Sequence, residues 1–176
     1  MKLLLYCTKG KPYLLKNPNW VVIMGASKYI ISKTNEYLKD ITLNGKIVGE
    51  CDYEVEETSV TYADYYHEEL AYNTHTLTFD ELLEKSCLNN QQLDNYVYGD
   101  NGYAIHIKNL HIFNNPKELS NYGIEKAPQN MMKVEPYGLA PFILISIRPE
   151  WLCKILNGEK TIEVRRKVLQ VMKNEI

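Results

Sequence analysis

The chain has 176 residues, of which 24% are charged and 45% hydrophobic, with a formal net charge of −2. A chain of that length suits one domain and buries roughly 70% of its unfolded surface, so stability requires neither a metal nor disulfides. The near-neutral balance excludes the global basic field that a sequence-independent DNA binder uses, so any nucleic-acid contact must come from a local patch.

Residues 2–7, KLLLYC, read as a strand ending at a Gly10–Pro12 turn. Tyr6, Thr8 and Lys9 interrupt this apolar start too early for a signal-peptide core. No apolar run approaches the ~18 residues a membrane span needs, so the expected location is the cytoplasm, with no membrane partner. Cys7, Cys51, Cys87 and Cys153 are scattered without a CxxC pair, which predicts reduced thiols. Cys51 and Cys153 fall inside apolar patterns and read as small core residues.

Residues 16–40 show weak periodicity and are expected to be loop-rich. The NGK turn at 44–46 introduces a clear strand, in which Ile47, Gly49, Cys51, Tyr53 and Val55 alternate with Glu50, Asp52, Glu54 and Glu56. The acidic row predicts a solvated outer face. Residues 58–76 carry no clear period. Thr78 and Glu81 then form a capping box ahead of Leu82 and Leu83. A second short helix is expected to be capped by Asn89, with Gln92 three residues on, and stopped by Gly99. Residues 102–113 read as a strand broken near Lys108–Asn109. His106 and His111 lie in it without a Cys or carboxylate at metal-ligand spacing, so both are expected to pack or hydrogen-bond, and no metal or other cofactor is expected.

Residues 114–141 hold four of the seven prolines and read as an irregular wrap. A strand at 142–147, FILISI, leads to Pro149 at a helix N1 position with Glu150 in the first turn. Trp151, Leu152, Ile155 and Leu156 make its apolar stripe, and Asn157–Gly158 ends it. In the strand that follows, Ile162 and Val164 point one way while Thr161, Glu163 and Arg165 point the other. A short basic helix is expected from Lys167 to Lys173.

Glu163 and Arg165, two apart on one strand face, stand ~6.6–6.8 Å from each other. Together they offer a carboxylate acceptor and a forked donor to one planar ligand, such as a base with an exocyclic amino group. Lys160 adds a positive charge at the strand entrance. Against this stands a surface ion-pair strand of little energetic consequence. Tyr accounts for 14 of the aromatic residues against 3 Phe and 2 Trp. Half-buried rings with wetted hydroxyls on a small barrel explain this excess more simply than base stacking does.

The segment ISIRPEWLCKILNGEKTIEVRR resembles the ASCH domain of the PUA-like superfamily, whose Gly-x-Lys-x-x-Glu-x-Arg signature falls here on Gly158, Lys160, Glu163 and Arg165. KIVGECDYEVEE is similar to that family's central barrel strand, GYAIHIKNLHIF to its late strand pair, and KAPQNMM to its closing Ala-Pro-Gln turn. The matches cover about two thirds of the chain. The resemblance implies an α+β fold, a small mixed β-barrel with short flanking helices, as a single domain over 1–176. The order is unusual, because the family's signature opens the domain. Here residues 1–137 supply the main barrel part and 142–176 either close the same barrel, as in a circular permutation, or start a truncated second copy. Closure is favoured, since a barrel without its first strand and helix leaves an open edge and an exposed apolar groove.

By the same resemblance, Lys160, Glu163 and Arg165 would line a cleft that binds RNA or a modified nucleoside. Ser146 and Arg148 would lie on the preceding strand edge, with Tyr6, Thr8, Lys9 and Gln129 approaching. The first expectation is a reader without chemistry of its own. The second is a small amidohydrolase acting on acetylated cytidine, as in similar small bacterial proteins. Those share Lys160 but carry a Thr nucleophile where this chain has Glu163, so Thr161 would act with Lys160 as its base. The third is a protein-interaction adaptor of mobile-element origin. The sequence fixes neither the ligand nor the oligomeric state.

Overall fold

The computed structural model describes residues 1–8, 14–16, 20–24, 29–33, 36–37, 45–62, 70–73, 77–97 and 102–173. The elements in chain order are β1 (Lys2–Cys7), β2 (Leu14–Lys16), β3 (Trp20–Met24), β4 (Tyr29–Lys33), β5 (Glu36–Tyr37), β6 (Ile47–Tyr62) and β7 (Leu70–Asn73). They continue with α1 (Phe79–Ser86), α2 (Asn90–Val97), β8 (Gly102–Lys117), β9 (Met131–Val134), β10 (Phe142–Ile147), α3 (Pro149–Leu156), β11 (Ile162–Arg165) and α4 (Gln170–Lys173). The fold is mixed α+β, rich in strands and with short helices. Among the described residues, no helix is long and apolar enough to cross a membrane. The chain divides into two compact units, Met1–Asp52 with Asn109–Gly158 and Tyr53–Lys108 with Glu159–Ile176.

In the first unit β1 runs parallel to β10, from Lys2↔Phe142 to Cys7↔Ile147, and antiparallel to the start of β6 through Leu3↔Cys51 and Leu5↔Gly49. β9 flanks β10 antiparallel. Leu3 to Cys7 and all six residues of β10 are buried, as unbroken apolar strands covered on both faces should be. Leu4, Tyr6, Ile47, Ile124, Val134, Phe142 and Leu144 make the core of this unit. Gly49 is required by crowding, since a Cβ there would stand 2.6 Å from the His111 carbonyl oxygen. α3 starts at Pro149 and buries Leu152, Cys153, Ile155 and Leu156; Gly158 follows in the left-handed region at φ 77°.

Two expectations in this unit are corrected. The loop-rich reading of 16–40 gives way to a four-stranded antiparallel sheet, β2-β3-β4-β5. Its strands are two to five residues long, so the β-forming runs WVVIM and YIISK are diluted when read over a 25-residue window. The irregular wrap at 114–141 contains a 3-10 turn at Leu119–Tyr122 and the strand β9. The Gly10–Pro12 turn lies outside the described residues.

The second unit sets β8 between β11 and the second part of β6, with β7 pairing β6 through Ser59↔Asn73 to Tyr62↔Leu70. The aperiodic stretch 58–76 thus contributes the end of β6 and β7. Leu77, Leu82, Leu93, Val97, Ala104, Ile162 and Val164 form its core. The capping box of α1 is made on both sides: Thr78 Oγ1 accepts from Glu81 N at 3.3 Å, and Thr78 N donates to Glu81 Oε2 at 2.8 Å. α2 repeats the device, with Gln92 N donating to Asn89 Oδ1 at 2.8 Å and Asn89 N to Gln92 Oε1 at 3.0 Å. The Gly99 stop lies outside the described residues. The C-terminal helix is the shorter α4, which buries Met172.

The expected break in β8 is a left-handed residue, Asn109 at φ 48°, in an otherwise continuous strand. The acidic row of β6 is largely solvent-facing, as expected, with the Asp52 and Glu54 side chains 43% and 63% exposed and only Glu56 covered, and it carries surface ion pairs. In the first unit Asp52 pairs with Lys2 at 2.8 Å and accepts from Asn109 at 2.9 Å. In the second unit Glu54 pairs with Lys108, and Glu56 Oε2 lies 3.2 Å from His106 Nε2. His111 stacks edge-on against Phe113 at 5.5 Å. Among the described residues, no group of three or more His, Cys, Asp or Glu side chains could hold a metal ion.

Candidate functional site

The chain from Glu159 to Arg165 does two jobs in the second unit. It first closes the C-terminus of α1, whose last carbonyls have no partner within the helix. Thr161 N donates to the Lys85 carbonyl at 2.9 Å, and Lys160 Nζ donates to the Ser86 carbonyl at 2.7 Å. Cys87, left-handed at φ 56°, ends the helix and donates its Sγ to the Glu159 carbonyl at 3.4 Å. An ammonium at this end also complements the negative pole of the helix dipole.

The chain then enters β11, whose register with β8 is Ile162↔His106, Glu163↔Ile105, Val164↔Ala104 and Arg165↔Tyr103. Ile162 and Val164 go to the core, as expected. The opposite face holds Glu163 and Arg165, flanked across the strand by Ile105 and Tyr103. Glu163 bridges two cations: Oε2 lies 3.3 Å from Lys160 Nζ and Oε1 lies 2.8 Å from Arg165 Nε.

Burial separates this arrangement from a surface ion-pair strand. Lys160 is 3% exposed and Glu163 8%, and the Arg165 side chain is 12% exposed. Removal from water holds the Lys160 ammonium below its ordinary range, with the Glu163 carboxylate acting in the opposite sense. Lys160, Glu163 and Arg165 are thus held together in a largely dry setting. The expectation of a solvated pair fails because α1 covers the Lys160 end, which no local spacing reveals.

Tyr6, Thr8, Gln129, Ser146 and Arg148 lie in the first unit. Tyr6 and Ser146 are register partners on β1 and β10, and both are buried. Ser146 Oγ donates to the Pro128 carbonyl at 2.6 Å and Ser146 N to the Asn130 carbonyl at 2.8 Å, so Gln129 projects, exposed, from the segment that holds Ser146. Thr8 N donates to the Ile147 carbonyl at 3.0 Å. Arg148 is exposed at the N-cap of α3. Lys9 lies outside the described residues. Thr161 is exposed, whereas Lys160 and Glu163 on either side of it in sequence are buried.

Three features of the second unit were not singled out from sequence. The Ser86 carbonyl is a partner of Lys160 from 74 residues away. Tyr103 carries the Lys173 ammonium 4.4 Å from its ring centroid, and Tyr96 carries the Arg166 guanidinium at 5.2 Å. The last two had a readable signal, namely cations just past β11 and an excess of Tyr. The sequence matches no protein-family model and no curated protein, and the fold matches no solved structure.

Proposed function

We propose that the chain is a PUA-like domain of the ASCH type, a small mixed barrel that binds RNA or a modified nucleoside at Lys160, Glu163 and Arg165 without catalysis of its own. The observation that carries this reading is the burial of the triad. Replacing buried ion pairs by well-packed apolar groups is often neutral or stabilising, so stability alone is a poor reason for a fold to keep one. Buried charged groups with shifted titration, as at Lys160, are enriched where ligands are handled. The Glu163 carboxylate lies 2.8 Å from Arg165 Nε and holds the guanidinium beside it, and a guanidinium is a forked donor suited to base oxygens or a phosphate. Glu163 itself supplies an acceptor for an exocyclic amino group.

One observation favours the amidohydrolase as a second reading. Burial holds the Lys160 ammonium below its ordinary range, the direction a general base needs, although its sequence neighbour Thr161 is exposed where Lys160 is buried. The test for both is a titration of the purified protein with short single-stranded RNAs and a nucleoside panel that includes acetylcytidine, with acetate release monitored in parallel. Wild type runs beside Lys160→Ala and Glu163→Ala. Saturable binding lost in both variants without product supports the reader, and acetate release supports the enzyme. Absence of binding and turnover sinks both readings and leaves the adaptor expectation.

A further inference from the structure

The exposed face of α2 is unlike the other helices. Leu93 and Val97 are buried, while Asn90, Gln91, Asn95 and Tyr96 are exposed. The helix holds no basic residue, and its only acid is Asp94. The face is therefore a row of uncharged amides ending in an aromatic ring that is 36% exposed. Amides of this kind both donate and accept, which matches the edges of nucleobases.

A cation reaches that ring from the segment after β11. Arg166 is exposed and lies over Tyr96, 5.2 Å from the ring centroid. It follows Arg165 of the triad directly and precedes the exposed Lys167. Residues 158–173 carry five Lys and Arg against two Glu, an excess of three positive charges in a chain whose net charge is −2. The acids of the chain are thus concentrated elsewhere, and the positive segment borders the amide face within one unit.

We infer that the α2 face, joined through Arg166 to the triad, is a binding surface for single-stranded RNA several nucleotides long, so that the ligand is a strand and not a free nucleoside. This rests on the reading of the triad as a nucleoside site and deepens it. Tyr96 and the Arg166 plane supply stacking that tolerates any base. Asn90, Gln91 and Asn95 supply hydrogen bonds to base edges, and Arg166 and Lys167 supply phosphate contacts. An acidic polypeptide would be served by the charges alone and would leave the exposed ring and the amide row without a role.

The test is fluorescence polarisation with a labelled ten-nucleotide oligouridine and a mixed-sequence RNA of the same length, at several salt concentrations. Wild type, Tyr96→Ala, Arg166→Lys, Arg166→Ala and Glu163→Gln are compared, with circular dichroism confirming that each is folded. Unlabelled mononucleotide is titrated separately into wild type and Glu163→Gln. The expected result is RNA affinity lowered about tenfold by Tyr96→Ala, a typical loss for one stacked base. Arg166→Lys keeps the charge and loses the plane, so it falls between wild type and Arg166→Ala. Arg166→Ala also flattens the plot of log affinity against log salt by about 0.7 per lost phosphate contact.

RNA binding untouched by the Tyr96 and Arg166 variants overturns the surface. So does polyglutamate competing as well as RNA, or a wild type that binds the mononucleotide as tightly as the strand. Mononucleotide binding lost in Glu163→Gln upholds the triad reading whichever way the surface result falls. RNA binding that depends on Tyr96 but not on Glu163 upholds the surface and overturns the triad.

Discussion

Glu163→Gln tests the central arrangement most sharply, because it removes one charge and almost no volume. The carboxylate lies 3.3 Å from Lys160 Nζ and 2.8 Å from Arg165 Nε. At an effective dielectric constant of about 20, those separations correspond to gross attractions of about 5 and 6 kcal/mol. Desolvation of all three groups and repulsion between the two cations offset most of that. Measured losses on removing one partner of a buried pair are about 3–5 kcal/mol. The amide oxygen of Gln still accepts from one cation, so the expected loss is about 3 kcal/mol, at the lower end of that range.

Urea unfolding followed by circular dichroism reads this loss directly, and a melt should show Tm lower by about 6–12 °C for a chain of this size. Adding Lys160→Met removes the stranded ammonium, so the double variant should be less destabilised than the sum of the single changes by about 1 kcal/mol or more. If Glu163→Gln falls within about 0.5 kcal/mol of wild type, as exposed substitutions do, the triad is solvated and the reasoning fails.

Other outcomes follow from the same structure. In Gly49→Ala the new Cβ meets the backbone oxygen of His111, which cannot swing aside, so unfolding should show a loss of about 2 kcal/mol. Thr78→Ala removes the acceptor for Glu81 N and should cost about 1 kcal/mol in the same assay. Lys160 is held below its ordinary 10.5, so between the lowered value and 10.5 the unfolded chain binds the extra proton. Stability should therefore rise with pH across that window in wild type relative to Lys160→Met, and a parallel pH profile for the two would refute the burial of the ammonium. Burial pushes the Cys51 thiol up to about 12, and Cys7 and Cys153 are also buried, so iodoacetamide at pH 8 should label Cys87 first and Cys87→Ser should abolish the early product.

Those parts of the fold with local signals were legible in the sequence. The capping boxes at Thr78 and Asn89, the apolar strand 142–147 and the Pro149 helix start are each specified within a few residues. The short strands β2 to β5 were missed because elements of two to five residues leave little periodicity to detect. The spacing of Lys160, Glu163 and Arg165 showed that their side chains could converge, but their burial was not readable. It depends on α1 packing over β11 from far away in sequence, and on the Ser86 carbonyl that Lys160 satisfies there. The solvated acidic row of β6 was legible from its alternation at Asp52 and Glu54, whereas the cover over Glu56 was not, since His106 reaches it from β8.

The most direct measurement of the central claim is the 15N-edited NMR signal of the Arg165 Nε–H group, assigned with Arg165→Lys, as single-stranded RNA or a nucleoside is added. A resolved signal is expected in the free protein, because the Arg165 Nε is buried beside the Glu163 carboxylate. The account further predicts a saturable shift whose midpoint equals the Kd from direct titration. Binding that leaves the Arg165 signal unmoved while the backbone amides of Tyr6 and Ser146 shift would contradict it and move the ligand site to β1 and β10.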